Sequence, residues 1–217
     1  VEHNVLQHDL KPEFTADEIM YLVSGVSANP EGRFFPDTYR YHWGDSDLDL
    51  LRRANKKMRQ VLQSEWDGRA DNLWYKNSYQ ALIVASLAQV ETAQSSELPL
   101  VANVILNRLQ QGMRLQVDPT VMYGLGYDFG YTLSKSDLRR KTAYNTYRIN
   151  GLPPTPIDMP GLAAIHAALH PAQTDFLYYV SRNDGSHKFS ATYAEHLQAV
   201  KKFQRNKTNV KVKRSEV

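Results

Sequence analysis

Tyr79-Gln-Ala-Leu-Ile-Val-Ala-Ser-Leu-Ala-Gln-Val-Glu91-Thr-Ala93, a polar break at Gln94-Ser95-Ser96, and then Leu100-Val-Ala-Asn-Val-Ile-Leu-Asn107-Arg108 decide the fold of this chain. The first half is apolar almost throughout and predicts a helix, with Ser78 as its N-cap. One carboxylate, Glu91, stands near its C-terminal end. The residues three, four and seven positions back are Ala88, Leu87 and Val84, which share its helix face. Glu91 is therefore predicted to point into an apolar stripe. Desolvation and the negative end of the helix dipole both favour the neutral acid. A carboxyl that keeps its proton near neutral pH is what general acid catalysis requires. The competing reading is an ordinary solvated helix-end Glu, exposed by the polar break. Burial decides between them.

Glu97 to Gln111 predicts a second amphipathic helix, with Leu98, Val101, Ala102, Ile105 and Leu109 inward and Gly112 as its stop. The two helices form a hairpin with Glu91 at its turn end. Upstream, Thr15 to Ser27 reads as a short helix with Thr15 and Glu18 as a capping box. Ser46 to Trp66 reads as a long one, boxed by Ser46 and Asp49. Leu48, Leu51, Ala54, Met58, Val61 and Leu62 form its apolar stripe, while Arg52, Arg53, Lys56, Lys57 and Arg59 make a solvated face. The aromatic run between them, Phe34-Phe35-Pro36-Asp37-Thr38-Tyr39, reads as core packing under a loop.

Downstream, Met113 to Pro160 is irregular and rich in Gly, Pro, Tyr, Asn and Asp. So long a loop-like segment in a compact domain is usually functional or disordered, and its aromatics argue against disorder. Within it, Asp118-Pro119-Thr120 reads as a helix start with Asp118 as N-cap. Pro160 to His170 predicts a short helix. Phe176 to Ser181 and His187 to Ser190 predict a β-hairpin across Arg182-Asn-Asp-Gly-Ser186. Thr192 to Phe203 closes as a helix boxed by Thr192 and Glu195, and the tail after Lys201 is basic and frayed. The fold class expected is α+β, a mainly helical domain with a small β component including the hairpin near residues 176–190. Residues 1–217 read as a single catalytic domain, with a helical lead-in at 1–77, a core at 78–205 and a basic tail at 206–217.

At 217 residues the chain suffices for one sizeable domain, and 42% hydrophobic with 23% charged residues is ordinary for a folded one. A net charge of +3 is too weak to imply nucleic acid, though it suits an anionic polymer. The absence of cysteine excludes disulfides and thiolate metal sites and leaves the compartment open. No run reaches the roughly 18–20 apolar residues of a membrane helix. There is no signal peptide, and a start at Val1-Glu2-His3 without Met reads as a trimmed segment. None of the seven His residues has a spacing such as His-Glu-x-x-His, and no metal or nucleotide motif is present, so no cofactor is expected.

Several phrases together resemble one bacterial family. They are Ala85-Ser86 with Val90-Glu91-Thr92-Ala93, Val104 to Leu109, and Gly112-Met-Arg-Leu-Gln-Val-Asp-Pro-Thr-Val121. They continue with Tyr123-Gly-Leu-Gly126, Ala143-Tyr-Asn-Thr-Tyr147, Gly151-Leu-Pro-Pro154 and the hairpin Phe176 to Val180 with Gly185 to Ser190. In order and spacing, over roughly residues 30–205, this chain resembles the YceG-like family of endolytic murein transglycosylases. Two positions depart from the family pattern, which usually has Glu at Gln89 and Thr at Val117.

The resemblance implies that Glu91, in its Glu-Thr pair, is the catalytic acid. The implied reaction cleaves the β-1,4 bond between N-acetylmuramic acid and N-acetylglucosamine in peptidoglycan strands without water and leaves 1,6-anhydromuramic ends. It also implies an inner-membrane protein facing the periplasm, with a membrane helix and a LysM-like domain expected outside this chain, and cell-wall synthases (penicillin-binding proteins) as possible partners. On chemistry, Asn145, Thr146 and Tyr147 offer amide and hydroxyl groups to a sugar, and Tyr144 offers a stacking face. The competing reading of this run is loop scaffolding. Asn107, Gln116 and Thr120 are candidate cleft residues, Arg108 is a candidate contact to peptide-stem carboxylates or else a surface charge, and His187 on the hairpin is a further candidate glycan contact. Asp118 is assigned a structural role. The rival from another class is a non-catalytic glycan-binding scaffold for cell-wall synthases, which has no need of a protonated Glu91. A nucleic-acid-binding domain rests on the basic tail alone.

Overall fold

Eight consecutive residues, Ala81 to Ala88, are buried on every side of one helix, α3 (Ser78–Glu91). A helix apolar all round has to be enclosed rather than laid on a surface, and the rest of the fold encloses it. The computed structural model describes residues 6–204. Packed around α3 are α2 (Asp47–Asp67), α4 (Leu98–Gln110), α5 (Asp118–Leu125) and α6 (Leu162–Leu169). α6 presents Ala164, Ile165, Ala167, Ala168 and Leu169, small and aliphatic side chains that bring it close to both α3 and α4.

The N-cap of α3 is Asn77 rather than Ser78: its side-chain oxygen accepts from the Gln80 amide at 3.0 Å. A single 3₁₀ turn (Ser95–Glu97) fills the polar break, and α4 follows directly with Pro99 in its first turn. The predicted helical hairpin is present, with Glu91 as the last residue of its first arm. Gly112 ends it with φ +66°, a left-handed conformation that suits a residue without Cβ.

α1 (Ala16–Ser24) lies on α2, and both carry the expected capping boxes. Met20, Phe34 and Ala54 make a small second core between them, while Phe35 joins the main core. The aromatic run is thus packing. Asp118 does not cap α5. Val117 holds the cap position, Asp118 is the first helical residue, and its carboxylate turns elsewhere.

β1 (Tyr178–Ser181) and β2 (His187–Ser190) pair antiparallel, with Tyr179 opposite Phe189 and Ser181 opposite His187. β1 starts two residues later than predicted. Instead of pairing with a strand, the Phe176 carbonyl accepts from the Asn107 side chain at 2.9 Å and the Leu177 carbonyl from Arg108 Nε at 2.7 Å. α7 (Tyr193–Phe203), again capped by a box, covers the hairpin. The architecture is α+β, seven helices and one two-stranded sheet among the described residues. The basic tail at 206–217 lies outside them. No helix among the described residues is long and apolar enough to cross a membrane.

Candidate active site

The end of α3 opens into a polar cleft of about 260 Å³. Its walls come from five parts of the chain. α3 supplies Glu91, α4 supplies Arg108, the 113–118 turn supplies Leu115, Gln116 and Asp118, the 145–147 turn supplies Tyr147, and the hairpin with α7 supplies Tyr179 and His196. Sequence separations of up to about a hundred residues converge here because α3 is wrapped rather than docked.

Burial pushes the Glu91 carboxyl up to about 7. The Asp118 charge reinforces that shift, while a hydrogen bond from the Tyr179 hydroxyl and the Arg108 charge oppose it. Glu91 is half-buried on the cleft wall rather than fully solvated. It has both an acidic and a basic neighbour there, Asp118 and Arg108.

Arg108 is the hub of the cleft wall. It is 9% exposed, and its Nε donates to Leu177 O while Nη1 donates to Leu115 O, each at 2.7 Å. Nη1 also lies 3.5 Å from the Gln116 amide oxygen, and the guanidinium sits 5.2 Å from the Tyr178 ring centre. One side chain therefore ties the helical hairpin to β1 and to the following turn. Gln116 itself has φ +54°, uncommon for a residue with a Cβ. The Tyr147 hydroxyl donates to Asp118 Oδ1 at 2.5 Å, and burial, then that carboxylate, pushes its pKa up. Burial, then the Arg108 charge, holds the His196 imidazole below its ordinary value. Its Nδ1 is buried without a partner among the described residues.

Of the candidate residues, the structure gathers Arg108, Gln116 and Tyr147 beside Glu91. The others do not line that cleft. Asn107 Nδ2 donates to the carbonyls of Thr174 and Phe176 at 2.8 and 2.9 Å. Thr120 and Thr146 are fully buried with hydroxyls 2.8 Å apart, and Thr146 Oγ1 accepts from the Val117 amide at 2.9 Å. Asn145, also fully buried, donates to the carbonyls of Leu138 and Arg140. The Tyr144 hydroxyl pairs with Thr155 at 2.8 Å, and its ring packs on Tyr123. His187 Nδ1 lies 2.7 Å from Glu97, with its ring edge against Tyr179.

Sequence reasoning does not single out Tyr179 or His196, and it assigns Asp118 to a cap that Val117 holds instead. Hairpin register is the signal for Tyr179, since it shares a face with the core residue Phe189. At the two departures from the family pattern, Gln89 accepts from the Gly161 amide at 3.3 Å, and Val117 is 1% exposed with its amide satisfied by Thr146.

A larger cavity of about 760 Å³ lies between β2 and α7. The carboxylate on its wall, Glu195, caps α7 through the amides of Ala191 and Thr192 and is held below its usual range, largely by the Thr192 amide. It offers no acid of the Glu91 kind.

A mainly helical α+β domain with a half-buried carboxyl on the wall of a polar cleft is the class these features define. Residues 3–202 match the model of the YceG-like family, and the chain belongs to that family. It is 34% identical over 174 residues to a Bacillus subtilis protein named endolytic murein transglycosylase, covering 80% of this chain and 48% of that one. A Streptococcus pneumoniae protein of the same name is 30% identical over 73% of this chain and 29% of its own. The crystal structure of a yceG-like protein from Listeria monocytogenes superposes with a TM-score of 0.70 at 30% identity, covering 82% of this chain and 59% of that one. The chain thus spans about half the length of the Bacillus relative and under a third of the Streptococcus one.

Proposed function

We propose that this domain is the catalytic part of an endolytic lytic transglycosylase that cuts the N-acetylmuramic acid β-1,4 N-acetylglucosamine bond of peptidoglycan. The observation that carries the proposal is the placement of Glu91 on the wall of a polar cleft beside Tyr179 and Arg108, where desolvation pushes its carboxyl up to about 7. The names of the Bacillus and Streptococcus relatives support the substrate. Glu91 in its protonated form donates to the leaving glycosidic oxygen. As carboxylate it then takes the proton of the muramic C6 hydroxyl, which attacks C1 and closes the 1,6-anhydro ring. A pKa close to working pH keeps both transfers within reach. Intramolecular attack replaces an activated water, so one carboxyl is enough. Tyr179 and Arg108 steady the carboxylate between the two transfers, and Gln116, Tyr147 and Arg108 are the proposed substrate contacts.

All the cleft residues fall between positions 91 and 196, which supports assigning the catalytic core to 78–205. Action at the periplasmic face of the inner membrane, tethered there and working with cell-wall synthases, completes the proposal; the family resemblance supports it.

Asp118 in the same cleft favours a second reading, hydrolysis by a carboxylate pair. Its hydrogen bond from Tyr147 weighs against a role as base or nucleophile. Mass spectrometry of peptidoglycan digested by the purified chain separates the readings. Anhydromuramic ends are expected, with cleavage lowered by about 10²–10⁴-fold in Glu91→Gln. Reducing ends mean hydrolysis, and binding without cleavage means a scaffold.

A further inference from the structure

On the side of α6 that faces α2, three donor side chains meet. Glu65 comes from the last turns of α2, His166 from α6 and His170 from its C-cap. His166 Nδ1 lies 2.7 Å from Glu65 Oε2. The two imidazoles stack with centres 4.2 Å apart and planes within 24°. One donor atom from each of the three residues lies within 4.8 Å of the other two. The spacing His166-Ala-Ala-Leu-His170 places both rings on one helix face. Glu65 reaches them from a different element.

Two imidazoles and one carboxylate suit zinc, nickel or copper and are poor ligands for magnesium or calcium, which prefer oxygen alone. We propose that Glu65, His166 and His170 form a binding site for a late first-row divalent transition ion, with water in the remaining positions. Donor atoms around a four-coordinate zinc stand roughly 3.3 Å apart, given metal–ligand bonds of about 2.0–2.1 Å. The cluster therefore closes by a small rotation of side chains, and His166, 57% exposed, is free to make it. On binding, the ion replaces the direct His166–Glu65 contact with two metal–ligand bonds. The site is separate from the Glu91 cleft, since none of the three residues lines that cleft. It staples α2 to α6, and α6 is a principal packing partner of α3, which ends in Glu91. The proposal does not depend on the glycan-cleaving reading.

The test is isothermal titration of the tag-free chain with Zn²⁺, alongside Mg²⁺ and Ca²⁺, and thermal melts with and without Zn²⁺. One saturable Zn²⁺ site is expected, with a rise in melting temperature and no comparable response to Mg²⁺ or Ca²⁺. Loss of an outer-shell partner alone weakens metal sites by 10–100-fold, so His166→Ala and His170→Ala should each weaken binding by at least about tenfold and abolish the thermal shift. Glu65→Gln should weaken it while leaving the metal-free melt and circular dichroism native. Absence of a one-to-one site, or Zn²⁺ binding undiminished in both histidine variants, overturns the proposal.

Discussion

His187 and Glu97, ninety residues apart, are joined twice: the His187 backbone amide donates to Glu97 Oε1 at 2.8 Å, and its Nδ1 lies 2.7 Å from Oε2. Thr92, directly after Glu91, donates to the same Oε2 at 3.1 Å. The pair locks the turn of the helical hairpin to β2, and the His187 ring packs T-shaped with Tyr179, which lines the cleft with Glu91. The hairpin is therefore the back wall of the cleft.

Breaking this pair should cost about 1–3 kcal/mol, because it leaves largely buried hydrogen-bonding groups without partners. Burial raises the Glu97 carboxyl, but the His187 side chain and amide, with Thr92, outweigh that and hold it below its usual range. A depressed carboxylate contributes stability that is present above its unfolded pKa, 4.5, and lost as pH falls through the lower folded value. Urea denaturation should show Glu97→Ala destabilised at pH 7, with the gap to the parent narrowing below pH 4.5.

Tyr179→Phe removes the hydroxyl that stabilises the Glu91 carboxylate, so the Glu91 pKa should rise further. The acid must be protonated when substrate binds, so cleavage falls as pH passes its pKa. The alkaline limb of the kcat/KM profile should move to higher pH in Tyr179→Phe, and kcat should fall because the carboxylate formed after proton donation is less well held. A limb that stays in place contradicts the hydrogen bond.

Gln116 carries a left-handed backbone, φ +54°, at the cleft wall. Gln116→Gly should relieve about 1 kcal/mol of that strain while lowering cleavage through loss of the amide. Paired denaturation and digestion measurements should therefore move in opposite directions, as expected where strain is kept for function.

Thr146→Val separates frame from contact. The Thr146 hydroxyl accepts from the buried Val117 amide, and an unpaired buried N–H costs about 1–3 kcal/mol. Stability should drop by that amount, with KM for peptidoglycan unchanged per folded molecule. A raised KM at unchanged stability restores Thr146 as a sugar contact.

What the sequence made legible follows the range of the interactions. The helices, their capping boxes and the apolar face behind Glu91 depend on neighbours three to seven residues away, and their boundaries came out within a few residues. The partners of Glu91 depend on contacts across the chain. Tyr178 and Tyr179 are adjacent and chemically equal, and the hairpin register alone turns one of them towards the cleft. Asp118 next to Pro119 has the look of a cap, yet Tyr147 draws its carboxylate away. Asn145 and Thr146 have groups suited to sugars, but buried backbone amides and carbonyls nearby claim them first.

The central claim is that Glu91 holds its proton near neutrality because the cleft wall partly desolvates it. Carboxyl ¹³C NMR of the Glu-labelled chain, with Glu91 assigned by difference against Glu91→Gln, measures this directly. A titration midpoint near 7 is predicted. A midpoint at the ordinary 4.5 would contradict the account, because Glu91 would then be ionised at neutral pH with no proton to give.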